Sequence, residues 1–455
     1  MTLRNLLLVS YQFPPIGGSG VQRAAKLARY LPAAGWRVQV IAAGHTHYPL
    51  LDPTLAGPPD PNVTVHRVCG LEPAGVARSI CHPFARMGGG SEWLSGLEDR
   101  LYWRLDRVFG GLPLPETEML WAPAAVRQAR RLVERHGIEA VVTTSPPHTA
   151  HLVGMSLRRR LGLPWVADLR DPITDNFAYH PRNRLADRFW RWLERTIVAQ
   201  ADRVVVTCPE LARRLAERHG RDEKRVFSTI TNGYDPADAP PPLETRPRGD
   251  RPFTLAYVGA FYREQTIGPL LEAVRGLRLR RGDIAAALQL RLVGSLSAAQ
   301  RRLVQPEDAA FFVNLGYRPH AEALREMAEA DAVLLLTPAH EGGRFCIPAK
   351  AFEYLAFGRH IIAVVHRDTA LSGILTAAGD VTLLENHEPA ALAAAIERRF
   401  DDWTTGRTSA PRDWEVVRNF RRDRLARQFA SVVAECVADR SGGLTTAAAI
   451  AGGAS

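Results

Sequence analysis

Short apolar runs alternate along this chain with longer stretches in which apolar residues recur every three or four positions, and glycine or proline marks most junctions. The runs Asn5–Ser10, Arg37–Ala42, Val63–Val68, Ala140–Thr144, Trp165–Asp168, Arg203–Thr207 and Val226–Ile230 read as strands. A second series follows at Thr254–Val258, Leu288–Val293, Val313–Leu315, Ala332–Leu336, His360–Val364 and Val381–Leu384. The intervening pattern predicts helices over Val21–Ala34, Ala122–His136, Arg182–Gln200, Pro209–His219, Ile267–Leu277, His320–Glu329 and Pro389–Phe400. Strands alternating with helices at this pace predict an α/β protein with parallel sheets covered on both faces. Trp414–Ala438 is helical but stands outside the repeat.

The pattern breaks once, at Pro236–Pro252 (PADAPPPLETRPRGDRP), a proline-rich charged linker. A chain of 455 residues is too long for one typical core. Two Rossmann-like domains are therefore expected, over 1–236 and 253–405, with a helix over 406–440 packing back across them. The Gly, Ala, Ser and Thr of Ser441–Ser455 predict a disordered tail. Trp93–Phe109 is amphipathic, with Trp93, Leu97, Leu101, Leu105 and Val108 on one side and Arg100, Arg104 and Arg107 towards the other. A core-covering helix is the plain reading of it; a lid, an acceptor-binding helix and a membrane-surface helix are the alternatives.

Composition narrows the function. A net charge of +10 favours an anionic partner. The arginines are scattered along helices, with no interleaved aromatic–basic motif, so a nucleic-acid partner is not expected. The five cysteines form no CxxC pair, which argues against a zinc site or disulfide framework and suits a reducing cytoplasm. No apolar run is long enough for a signal peptide or membrane span, so a cytoplasmic protein, at most peripheral at the inner membrane face, is expected.

Candidate chemistry collects where strands run into helices. After the first strand, Gly17-Gly18-x-Gly20 opens a helix and lets a ligand approach the backbone at its N-terminus. The loops after later strands carry His148, His151, Arg170, Asp171, Asn232 and Asp235. In the second half, Ala332–Leu336 runs into AHEGGRFCIPAKAFEYLAFGRHIIAV, where Gly342-Gly343 breaks the chain and Ile347-Pro348 starts a helix that Gly358 ends. Lys350 and Glu353, three apart, share one face of that helix; a surface ion pair is the plain reading, and phosphate binding at a helix N-terminus the functional one. Ligands of open α/β sheets gather at the carboxyl ends of the strands.

Five stretches together resemble the glycosyltransferases of family 4. They are FPPIGGSGVQRAAKLARYLPAAGWRVQVIA, TTSPPHTAHLVGMSLRRRLGLPWVADLRDP, ADRVVVTCPELARRL with ITNGYDP, LAYVGAFYREQTIGPLLEAV, and IPAKAFEYLAFGRHIIAV. The resemblance covers Asn5 to about Ala438. It implies the GT-B architecture, two Rossmann-like domains facing each other across a cleft with a C-terminal helix. It implies a nucleotide-diphosphate sugar, UDP- or GDP-linked, held mainly by the second domain, and a sugar, lipid-linked or natural-product acceptor held mainly by the first. Retention of anomeric configuration, no metal and no further cofactor are likewise implied. By position, Glu353 would bond the ribose hydroxyls, and Lys350 and Arg263 would approach the diphosphate. The amides of Gly17 and Gly18 would lie near the transferring sugar, and His151, or else His148, would contact that sugar, with Asp171 as base or acceptor-orienting group.

The sequence departs from that pattern in two places. The family places seven residues between two glutamates, but counting back from Glu353 on that spacing reaches Phe345, and Glu341 lies twelve positions before Glu353. The arginine and lysine expected after the first strand of the second domain are reduced to Arg263-Glu-Gln265, leaving Lys350 as the substitute for the lysine. These departures keep two rivals in view, a non-catalytic scaffold on the same fold and a nucleotide-sugar epimerase.

Overall fold

A computed structural model describes residues 3–44, 51–77, 115–177, 179–181, 183–238, 251–259, 261, 265–385, 387–407 and 411–452, with a few more between 80 and 108. Arg263 and most of Trp93–Phe109 lie outside the described residues.

The first compact unit comprises Met1–Thr174, Tyr179–Ile230 and Leu425–Ser455. Its strands are β1 (Arg4–Val9), β2 (Trp36–Ala43), β3 (Val63–Val68), β4 (Ala140–Ser145), β5 (Trp165–Leu169), β6 (Arg203–Val206) and β7 (Phe227–Thr229). They form one sheet in the order β3-β2-β1-β4-β5-β6-β7, with every pair parallel. Its longer helices are α1 (Ser19–Tyr30), α2 (Ala122–His136), α3 (Ala150–Leu161), α4 (Arg184–Gln200) and α5 (Pro209–His219). Strands β1 and β4 are buried along most of their length, as expected of a sheet covered on both faces.

The second unit comprises Thr231–Arg424 with Asp175–Ala178. Strands β8 (Phe253–Val258), β9 (Leu288–Val293), β10 (Phe312–Asn314), β11 (Ala332–Leu336), β12 (His360–Val364) and β13 (Val381–Leu384) pair in the order β10-β9-β8-β11-β12-β13, again all parallel. The helices used below are α6 (Gly268–Arg280), α7 (His320–Glu329), α8 (Ala349–Ala356) and α9 (Pro389–Thr405). Leu271, Val274 and Leu277 of α6 and Leu392, Ile396 and Phe400 of α9 share one core cluster with Leu255, Leu290 and Leu334 of the sheet. Each sheet thus reverses direction at one switch point, between β1 and β4 and between β8 and β11, where the carboxyl ends of the strands open a crevice.

The last helix, α10 (Arg422–Gly452), places Leu425, Ala426, Phe429, Val433 and Cys436 in the core of the first unit. Its turns over Ser441–Gly452, which composition left as disordered tail, are helical instead. Three alanines in a row near its end are the strongest helix formers.

Candidate functional site

In the second unit the site grows from β8 and β11. Strand β11 ends at Leu336, and residues 337–348 form a constrained loop before α8. Glu341–Phe345 is a 3-10 turn capped by His340, whose Nδ1 accepts from the Gly342 amide at 3.0 Å. Space, rather than flexibility alone, requires the glycines here. A Cβ on Gly342 would lie 2.6 Å from the Asp175 carbonyl oxygen, and one on Gly343 would lie 2.2 Å from that of Pro338. Imidazoles tie the loop down: His366 Nε2 lies 3.1 Å from the Pro338 carbonyl and 3.2 Å from that of His340, and His387 Nε2 lies 2.9 Å from that of Thr337.

Pro348 is the N-cap of α8, one position ahead of the first-turn place the sequence suggests, and Gly358 follows the helix with φ +65°, as a left-handed C′ residue. Lys350 and Glu353 do not pair. The Lys350 ammonium lies 3.8 Å from the centroid of the Tyr257 ring, beside Gly259 at the end of β8. Gly259 has φ +128°, and a Cβ there would stand 3.2 Å from Lys350 Nζ, so the glycine leaves room for the ammonium. Among the described residues Lys350 forms no ion pair. Desolvation pulls its pKa down to about 7, against the opposing pull of Cys346 and Glu353. Glu353 is buried, and its Oε1 lies 3.8 Å from His320 Nε2 at the start of α7. Tyr354 anchors the helix beneath them, its hydroxyl accepting from the Val258 amide at 3.0 Å.

Glu341 is exposed and ion-paired to Arg344 at 3.4 Å. Gln265 turns inward, its amide nitrogen donating to the Leu336 carbonyl at 3.0 Å, which fastens the loop after β8 to β11. Asn232 donates to the Ile347 carbonyl at 3.1 Å, just before α8, and Asp235 caps its own turn through the Ala237 amide.

In the first unit the candidates stand at the carboxyl ends of β1, β4 and β5. Gly18, at φ +94°, is the N-cap of α1, with Gly17 buried before it. His151 is fully buried on the first turn of α3. The Trp165 indole N–H donates to Thr143 Oγ1 at 2.8 Å, and the same hydroxyl lies 2.8 Å from His151 Nδ1. The Thr143 hydroxyl has one hydrogen and, among the described residues, no acceptor for it other than Nδ1, which assigns the His151 proton to Nε2. That Nε2 is buried with no hydrogen-bond partner among the described residues. Burial, with His148 and Arg170 adding to it, holds His151 well below the usual histidine range, so the ring is a neutral donor. His148 is lowered to about 4, chiefly by burial; its ring stacks on His151 at 6.5 Å and meets Trp190 edge-on at 5.5 Å.

Arg170 donates to the carbonyls of Ser145, Gly20 and Pro146, locking the α1 turn to the β4 loop. Burial raises the pKa of Asp171, which Arg170 opposes. No local pattern marks the neighbouring ion pair: Arg23 of α1 bonds both carboxylate oxygens of Asp168 on β5, at 2.8 to 3.1 Å, and the Ile230 carbonyl at 3.0 Å. Thr144 donates to the same carboxylate at 2.7 Å. Also unforeseen, Glu194 of α4 is buried among Thr174, Arg218 and His219. Burial pushes its pKa up, but the hydrogen bonds from His219, Arg218 and Thr174 outweigh that and hold it at about 2. Among the described residues no group of three or more His, Cys, Asp or Glu is placed to hold a metal ion, and no helix is long and apolar enough to cross a membrane.

Two family models match this chain. Residues 17–229 match the Glycosyl transferase 4-like domain, and residues 252–402 match Glycosyl transferases group 1. Solved structures share the architecture over nearly the whole chain. Sucrose-phosphate synthase from Thermosynechococcus elongatus has 18% identity and a TM-score of 0.60, covering 98% of this chain and 100% of its own. WaaG, a glycosyltransferase involved in lipopolysaccharide biosynthesis, has 13% identity and a TM-score of 0.56, covering 94% and 99%. Anabaena HepE in complex with UDP-glucose has 14% identity and a TM-score of 0.51, covering 97% and 99%. The fold is that of the GT-B proteins, two parallel-sheet Rossmann-like domains. With the two matched domains in this order, the chain belongs to the glycosyltransferases.

Proposed function

We propose that the protein is a retaining, family 4 glycosyltransferase that moves a sugar from a nucleotide-diphosphate sugar to an acceptor hydroxyl. The observation that carries this reading is the start of α8, where Lys350 holds an ammonium with no carboxylate partner among the described residues and Glu353 presents a carboxylate from the same helix. A desolvated cation at a helix N-terminus favours a diphosphate, and a carboxylate one turn on suits the ribose diol. HepE, solved with UDP-glucose, supports a UDP-linked donor, and a GDP-linked one fits the same chemistry. WaaG's role in lipopolysaccharide biosynthesis supports a sugar or lipid-linked acceptor, alongside natural products.

Breaking the bond between anomeric carbon and phosphate leaves negative charge on the departing diphosphate. Lys350 and the backbone amides at the start of α8 neutralise it, Arg263 adds a second cation, and no metal is required. The amides of Gly17 and Gly18 serve the reacting sugar. The acceptor oxygen attacks the anomeric carbon from the face the diphosphate leaves, and its proton passes to a leaving phosphate oxygen. His151, neutral and with Nε2–H available, donates to the reacting sugar rather than taking a proton. His148 packs behind it, and Asp171 orients the acceptor. A scaffold without turnover is the second reading, favoured by Phe345 at the family's glutamate position and by the outward turn of Glu341.

Thermal shift against UDP-glucose, UDP-N-acetylglucosamine and GDP-mannose tests the proposal, since a ligand of the folded form raises its melting temperature. At least one should stabilise the wild type, and Lys350→Ala and Glu353→Ala should lose that shift while melting near the wild-type temperature. No shift with any nucleotide sugar sinks the donor site.

A further inference from the structure

His320 has no role in the reading so far, yet it stands beside the carboxylate on which nucleotide recognition rests. It is the first residue of α7, after the turn Gly316-Tyr-Arg-Pro319 that leaves β10. Its Nε2 lies 3.8 Å from Glu353 Oε1 and 3.6 Å from Asp238 Oδ2. Both distances are within ion-pair range and just beyond a hydrogen bond, so a small movement lets the ring bond either acid. All three side chains are mostly sheltered: His320 keeps 15% of its side-chain surface, Glu353 9% and Asp238 29%. Among the described residues, His320 is the only basic side chain within ion-pair distance of Glu353.

A buried carboxylate needs a partner to hold its orientation. Lys350 does not supply one, because its ammonium is turned to Tyr257 and Gly259. The neighbouring Arg318 pairs with Glu322 of the first turn of α7 at 3.8 Å. We propose that His320 is a positioning residue that fixes the Glu353 carboxylate for the ribose hydroxyls, with Asp238 steadying the imidazole at the same Nε2. The inference rests on the nucleotide-binding reading of Glu353. It adds that ribose recognition is a property of three residues drawn from α8, the start of α7 and the first residues of the interdomain linker. His320 touches neither phosphate nor sugar, so its loss should be felt only where a ribose hydroxyl is present.

That selectivity separates positioning from general damage. Calorimetric affinities would be measured for UDP and GDP, and then for the 2′-deoxy and 3′-deoxy forms of whichever binds. In the wild type, removing a contacted hydroxyl should weaken binding roughly tenfold, the scale of a hydrogen bond to a charged group. Glu353→Gln should shrink that penalty to about twofold or less. His320→Ala and His320→Gln should shrink it likewise, while binding of the deoxynucleotide and the melting temperature stay near wild type. Asp238→Asn should give the same effect in weaker form. If neither nucleotide binds the wild type, the donor-site reading itself fails. If Glu353→Gln erases the hydroxyl penalty but both His320 variants keep it in full, the donor site stands and the role given to His320 is overturned.

Discussion

Helices α1 and α8 each begin at the carboxyl end of a parallel strand beside a switch point, and each carries a basic residue near its start. They use that charge in opposite ways. Arg23 of α1 is buried and bound through both carboxylate oxygens to Asp168, and it also holds the Ile230 carbonyl. Lys350 of α8 faces an aromatic ring and, among the described residues, pairs with no carboxylate. The guanidinium is committed to joining α1, β5 and the end of β7; the ammonium is held ready for an anion that arrives later. A planar fork suits the first task, and a desolvated point charge whose pKa shifts readily suits the second.

The largest effect should come from breaking the committed pair. Asp168→Ala leaves the Arg23 guanidinium buried without its counter-charge, a change that typically costs about 3–5 kcal/mol. Urea denaturation should show that loss, and the double change Arg23→Met with Asp168→Leu should recover much of it. Lys350→Ala should cost the fold almost nothing. A loss in Asp168→Ala below about 1 kcal/mol would erase the contrast between the helices.

A smaller effect, and one specific to α8, follows from the lowered pKa of Lys350. The folded protein without ligand sheds this proton near pH 7, whereas the unfolded chain keeps it until about 10.5. Between those values the unfolded chain binds more protons, so this residue makes the ligand-free protein more stable as pH rises. Diphosphate binding runs the other way, since it needs the ammonium. Nucleotide affinity should be level below pH 7 and fall above it, approaching tenfold per unit. Calorimetry in buffers of differing ionisation heat should record proton uptake on binding near pH 8, and Lys350→Met should abolish both trends. An affinity that stays level from pH 6 to 9 would mean that Lys350 does not meet the phosphates.

How much of this was readable beforehand depended on sequence distance. Both sheets, their alternation with helices and the α8 face bearing Lys350 and Glu353 follow from periodicity, because their causes are local. Arg23 and Asp168 lie 145 positions apart, and nothing in either neighbourhood marks them as partners. The tautomer of His151 depends on a hydroxyl eight residues away and an indole on another strand. His320 reads only as the start of a helix, although a histidine there, directly after a strand-end turn, was the available signal. The glycine pair at 342–343 was legible as a break but not as a crowded contact, since that needs the carbonyls of Asp175 and Pro338.

The smallest effect concerns Glu341, the acid nearest to the family's missing glutamate. Its side chain is 79% exposed and pairs with Arg344, three residues on in the same 3-10 turn. Such pairs contribute about 0–1 kcal/mol, and this one faces solvent. The loop's usefulness lies instead in its backbone, which Gly342, Gly343 and the imidazoles of His340 and His366 hold in one shape. Glu341→Ala should therefore change nucleotide-sugar affinity by less than about twofold, the smallest shift the exposed-pair range allows. A loss beyond about tenfold would mean that this carboxylate turns inward when the donor binds, because only a hydrogen bond on that scale explains it. The loop would then supply the acid that Phe345 cannot, alongside Lys350, Arg263 and Glu353 of the second domain.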